Sequence, residues 1–276
     1  MYSLSAGIKP LRRFDAWFGA HQRLDRFAHK QLSELLTSTE LAVFPSPKQL
    51  LEFEGINGPD GIKIKTPAQG EPWHYYNPHD KDDMQIIDAM RMNYKNLVNA
   101  LRKGNVTRAS FEAAWLAHAI VDGLTPAHHY PYEEELVRLR GGAGIETRTS
   151  YKDKLLMPGD TLTERIKHNW EMMGDKGLLS THMAFEFGVA VLIVPMRRGA
   201  RQSLNAAELQ LAQTKDGYIK FFQKKAVEIA ELELYQKFYQ VGWTPKVARL
   251  VRSKMVPLIV DAVTFAWYAA MKEAGK

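Results

Sequence analysis

Residues 114–135 read AWLAHAIVDGLTPAHHYPYEEE, and this stretch limits the chain's folding choices most tightly. His118 and Asp122 stand four apart in an otherwise apolar run, with Phe111, Ala114, Trp115 and Ala119 around them. On a helix that spacing places both side chains on one face, a turn apart. A carboxylate among apolar side chains is costly without a partner, so this face must meet something polar or cationic. Gly123 allows close approach, Pro126 stops the helix, and His128 and His129 follow in the loop beyond. Alone, the pair also reads as a His–Asp contact in a helical core.

A second pair changes the balance. His182 and Glu186 repeat the four-residue spacing in LLSTHMAFEFGV, on another apolar helix. Two such pairs on two buried helices describe the two halves of a cation site better than two unrelated core contacts. Further donors lie in WHYYNPHDKDD, where His74 sits among aromatics and His79 adjoins Asp80. Asp82 and Asp83 also fit a helix N-terminus, where negative charge is favoured. Asp60, in GINGPDG, is what turn chemistry alone would place between Pro and Gly.

Around these segments the periodicity is helical nearly throughout. Helices are expected over 14–36, 84–103, 111–124, 161–173, 178–194, 204–239 and 245–272. Thr161 and Glu164 form a capping box at one start. Prolines and glycines crowd residues 45–72, which are expected to form one long loop, with a second loop over 140–148. No alternating run reads as a sheet. The expected fold is all-α: a multi-helix bundle with a metal site between central helices and long connecting loops. It forms one domain over 1–276, with a metal-site core at about 14–195 and C-terminal helices at about 204–272.

Composition narrows the chemistry. Apolar residues are 45% and charged residues 25%, which excludes a disordered chain, a collagen-like chain and a membrane bundle. Cysteine is absent while histidine occurs 9 times. A metal would therefore be held by imidazole and carboxylate. The net charge of +6 favours anionic partners such as phospholipid headgroups or nucleic acid, or else merely solvates the surface. Its local clusters fall at 9–13, 197–201, 220–225 and 246–254. The first residues lack the order of a signal peptide, and the longest apolar run is far short of a membrane span. The expected location is the cytoplasm, in preference to a secreted mature form.

Taken in order, these residues resemble the zinc-dependent phospholipase C superfamily, which includes the single-strand-specific zinc nucleases. The pattern is Gly-x-His at His21, Pro-Asp at Asp60, and His with aromatics at His74. It continues as His-x-x-x-Asp-x-x-x-Pro-x-His from His118 to His128 and His-x-x-x-Glu at His182 and Glu186. The resemblance implies an all-helical fold with three clustered Zn2+ ions. Asp60, His74, His118 and Asp122 would hold one zinc, Asp122 would bridge to a second shared with His21, and His128, His182 and Glu186 would hold another. Glu186 is similar to the phospholipase branch; the nucleases more often carry Asp there.

The chain departs from the family in two places. Family members begin with a Trp that binds zinc, whereas residue 1 is Met, so two or three ions are expected. The segment between His128 and His182 is also long, and it contains His168 and Glu171. His29 competes with His21, and His129 with His128. A zinc cluster acidifies bound water and clamps a phosphodiester. Asp60 would accept the water's proton as the catalytic carboxylate. Tyr75, Tyr76, Tyr130 and Tyr132 would shape the mouth of the site or pack the loops.

Phospholipid hydrolysis with peripheral membrane contact is the leading expectation. A nuclease or nucleotide phosphodiesterase, a phosphohydrolase built on His79–Asp80, and a non-catalytic helical module with a structural metal stand as alternatives.

Overall fold

A computed structural model of the chain describes residues 19–196 and 204–275. The basic clusters at 9–13 and 197–201, and the first residues of the expected helix at 14–36, lie outside the described residues. Among the described residues the architecture is helical, with no strand, as the periodicity predicts.

Helix α1 (Ala20–Leu35) is followed by three short helices, α2 (Ser38–Val43), α3 (Pro47–Leu51) and α4 (Pro59–Lys65). The region 45–72 is thus not one long loop. Its prolines stand at first turns, where the missing N–H costs nothing: Pro47 opens α3 and Pro59 opens α4. Residues that break long periodicity here start short helices.

Two long antiparallel neighbours come next, α5 (Gln85–Arg102) and α6 (Val106–Gly123). Asn105 caps α6 by accepting the N–H of Arg108 at 3.0 Å. Helix α6 is buried on nearly every side, as its lack of a polar face requires. It ends at Gly123, where an added Cβ would lie 2.6 Å from the Phe222 ring. A 3-10 turn, Pro126–His129, carries the chain on.

The long segment after His128 folds as α7 (Tyr132–Leu139), α8 (Tyr151–Leu155) and α9 (Leu162–Met173), then enters α10 (Leu178–Ile193). The capping box at Thr161 and Glu164 opens α9 as expected. Tyr132, Leu136, Leu139, Met157 and Met172 form a small apolar core of their own.

The expected helix 204–239 is three helices: α11 (Ala206–Leu211), α12 (Gly217–Ala230) and α13 (Leu234–Val241). Asp216 and Glu233 take left-handed backbone angles, with φ of 56° and 51°, and each turns the chain between helices. The last stretch runs through α14 (Pro245–Leu250), a π turn at Val251–Met255 and α15 (Val256–Ala274). Pro257 has no N–H for the helix ladder, and the wider turn sits just before it.

Helix α15 packs on α1, α5, α6 and α12, so the main core gathers around α6 and α15. Trp267 is fully buried there, and its indole N–H donates to the Ala113 carbonyl at 3.0 Å. Gln31 donates to Asp261 at 2.7 Å, tying α1 to α15.

Two stretches are apolar and long enough by composition to cross a membrane, Leu162–Ile193 and Pro245–Ala274. The second is 78% buried inside the protein, as a core helix is. The first is interrupted between α9 and α10.

Replacing Trp267 by Ala removes core volume and one buried hydrogen bond, at a cost of about 3–5 kcal/mol. Replacing the exposed Trp170 by Ala costs about 0.5 kcal/mol or less. Denaturant unfolding of the two variants checks the contrast.

Candidate metal centre

The eight residues drawn from the motif order come from six separate parts of the chain. His21 lies on α1, Asp60 in the first turn of α4, and His74 on an extended segment before α5. His118 and Asp122 lie on α6, His128 in the 3-10 turn, and His182 and Glu186 on α10. None is more than 6% exposed.

Asp122 is where they converge. Its carboxylate lies 3.3 Å from His21 Nε2, 3.3 Å from His118 Nε2 and 3.8 Å from His128 Nδ1, and it also contacts His74 Nδ1. Burial alone would raise the Asp122 carboxyl. The imidazoles of His118, His128 and His74 outweigh it and hold the group well below the usual carboxylate range. Asp122 also stands in the last turn of α6, where the helix dipole adds negative potential. An anion so placed calls for cations.

His118 is held from both sides. Its Nδ1 lies 3.4 Å from Glu54 Oε2, while its Nε2 faces Asp122 and stands 4.0 Å from Asp60. Burial would lower this imidazole; Asp122 and Glu54 override it and raise it well above the usual value. The ring stacks on His21 with centroids 3.8 Å apart.

The pair formed by His128 and Glu186 tests whether a cation fits. Tyr76 N–H donates to the His128 carbonyl at 3.0 Å, and His128 Nδ1 donates to the His74 carbonyl at 2.7 Å. A carbonyl only accepts, so the proton of neutral His128 is on Nδ1. Burial pushes His128 down to about 3, which keeps it neutral. Its Nε2 is then an acceptor, yet it faces Glu186 Oε1 at 2.8 Å. His182 Nε2 approaches the same oxygen at 3.0 Å, and burial holds His182 well below its usual value too. Two neutral imidazoles converging on one carboxylate oxygen are what a shared cation satisfies.

Three donor groups result, each with ligand atoms within 4.8 Å of one another: His21, Glu54 and His118; Asp60, His74 and His118; and His128, His182 and Glu186. Asp60 Oδ2 and His74 Nε2 have no hydrogen-bond partner among the described residues. Imidazole nitrogens and carboxylate oxygens without thiolate suit a hydrolytic divalent metal. These groups can hold metal ions.

The competing histidines separate cleanly. His29 bonds the Pro45 carbonyl at 3.1 Å, and His129 bonds the Gly123 carbonyl at 3.0 Å. His168 bonds the Pro158 carbonyl at 2.9 Å. His79 and Asp80 occupy an exposed turn, closed by the Asp80 N–H on the Asn77 carbonyl at 3.1 Å. None of these belongs to the three donor groups. Among the tyrosines, Tyr76 packs in the core against Phe222. Tyr75 and Tyr132 stack 5.3 Å apart, beside His128 and His182 respectively. Tyr130 lines a cleft of about 510 Å³ together with Trp170, Thr181, Tyr235 and Tyr239.

Three charged residues join the centre without having been marked in the sequence. Glu54 contacts His118. Lys63 Nζ lies 3.1 Å from Asp60 Oδ1, and it leads His118 and His21 in holding that carboxyl below the usual range against its burial. Asp25 is buried one turn beyond His21, and burial with the nearby Glu54 raises its carboxyl well above the usual value. The four-residue spacing of His21 and Asp25 was an available signal; Glu54 had none, standing in the Pro- and Gly-rich region.

No family model, curated protein or solved structure matches the chain.

Glu54→Gln is expected to weaken zinc binding to chelator-stripped protein about 10–100-fold, the range for a group that orients a ligand. His79→Ala and His168→Ala are expected to leave it unchanged. Calorimetric titration with zinc measures all three, and an unchanged Glu54→Gln affinity would remove Glu54 from the centre.

Proposed function

We propose that this chain is a zinc-dependent phosphodiesterase that hydrolyses phospholipid headgroup esters, in the manner of the phospholipase C superfamily its motif order resembles. The observation that supports this reading most is the convergence itself. Eight residues spread from His21 to Glu186 meet in one buried cluster; seven of them, with Glu54, make up three donor groups, and Asp122 lies among their histidines. When bound, zinc supplies a Lewis acid for phosphoryl oxygens and a water acidic enough to ionise near neutrality.

The chain's own residues do the rest. Asp122, touched by four histidines, holds the donor groups together. The His74 carbonyl orients His128 by occupying its Nδ1, and Glu54, a donor in the first group, also fixes the His118 ring through its Nδ1. Asp60 is the proton acceptor in this reading: Oδ1 is engaged by Lys63, and Oδ2 has no hydrogen-bond partner among the described residues. Lys63 keeps the carboxylate ionised and weakly basic, so it takes a proton only from a strongly acidified donor. The aromatic cleft reaches Thr181, the neighbour of His182, and offers a surface for a substrate group beside the third donor group. Glu186 at the last motif position favours the phospholipid substrate over single-stranded nucleic acid.

With zinc supplied, the protein is expected to hydrolyse phosphatidylcholine faster than single-stranded DNA. Asp60→Asn is expected to lower that rate about 10²–10⁴-fold while remaining folded. Preference for DNA would overturn the substrate, and hydrolysis of neither would overturn the reaction.

A further inference from the structure

Helix α10 has two contrasting sides. His182, Phe185, Glu186, Val189 and Ile193 are buried, whereas Met183, Phe187 and Val191 recur every four residues on a face left open to solvent. Phe187 is 53% exposed. Helix α9, packed on α10, repeats the pattern: Leu162, Ile166, Trp170 and Met173 form one stripe, and Trp170 is 66% exposed. Single exposed apolar residues are ordinary, but stripes of them on adjoining helices mark a surface that meets something.

The C-terminal half of α10 adjoins a basic edge. The Trp243 indole covers Gly188 closely enough that a Cβ there would clash with it, and its N–H reaches the Ala184 carbonyl at 3.4 Å. Trp243 leads into α14, and the π turn at Val251–Met255 packs back on α10. From 244 to 258 the chain carries Lys246, Arg249, Arg252 and Lys254 and no carboxylate. All four are exposed, and none forms an ion pair among the described residues. Val241, at the end of α13 just before this edge, is 65% exposed.

We propose that this face docks on an anionic phospholipid bilayer. Lys246, Arg249, Arg252 and Lys254 meet the headgroup phosphates, and Phe187, Val191 and Val241 enter the boundary between headgroups and acyl chains. Unpaired cations call for an anionic partner. Val191 and Val241 beside them gain nothing from a nucleic-acid backbone but leave water at a lipid surface, as Phe187 does with them. The contact is peripheral, because the inner face of α10 is committed to the metal centre and the core. The surface uses none of the residues of the metal centre, so it stands whether or not the hydrolytic reading does.

Co-sedimentation of the full chain with vesicles tests this. Binding to phosphatidylglycerol–phosphatidylcholine vesicles is expected to exceed binding to pure phosphatidylcholine vesicles at least about tenfold, and to weaken with salt. The double change Arg249→Glu, Arg252→Glu is expected to cut it about tenfold or more. The equal charge change Lys95→Glu, Lys103→Glu, on and just after α5, is expected to cut it far less. Phe187→Ser with Val191→Ser is expected to lower binding while leaving the thermal unfolding midpoint near that of the parent chain. Equal losses from both charge-reversal pairs would overturn the surface, as would failure to bind anionic vesicles. Binding of single-stranded DNA in place of vesicles, lost with Arg249→Glu and Arg252→Glu, would overturn it as well.

Discussion

Everything at the heart of this protein depends on the burial of Asp122. Its carboxylate sits in the last turn of a helix covered on nearly every side, where both desolvation and the helix dipole oppose a negative charge. Four histidines answer it, from α1, the segment before α5, α6 itself and the 3-10 turn that follows. The surrounding carboxylates compound the demand, since Asp25, Glu54, Asp60 and Glu186 are buried nearby. Lys63 answers Asp60 by direct contact and Asp122 at longer range. Divalent cations in the donor groups would offset the charge of this many buried carboxylates.

That demand explains which parts of the centre could be read from residue order. His118 with Asp122, and His182 with Glu186, were legible because a helix turns four-residue spacing into a shared face, and apolar neighbours bury that face. The same rule applied to α1 would have found Asp25 beside His21. Glu54 was illegible: it lies where short helices and turns follow one another, and no periodicity survives over three residues. The choice of His21 over His29, and of His128 over His129, was equally closed to sequence. A carbonyl from a distant or local backbone, at Pro45 and Gly123, decides those rings.

The all-helical class was legible too, and the departures have local causes. Prolines that looked like loop markers open α3 and α4. The apolar pattern through 204–239 runs on past Asp216 and Glu233, because side-chain periodicity does not record a left-handed residue whose neighbours still point inward. The long segment after His128 builds its own small core, whose Tyr132 stands against Tyr75 and His182. It thereby walls one side of the candidate metal centre. Helix α10 then serves two surroundings at once: it carries His182 and Glu186 inward and an apolar stripe outward. A helix apolar all round cannot disclose from its sequence which of its sides remains uncovered.

The central claim is that the buried cluster is a metal centre. Elemental analysis by mass spectrometry, on chain purified without chelator, tests it most directly. The account predicts at least two zinc ions per folded chain, since three groups of donors are able to hold metal. A folded chain that carries no metal would contradict it.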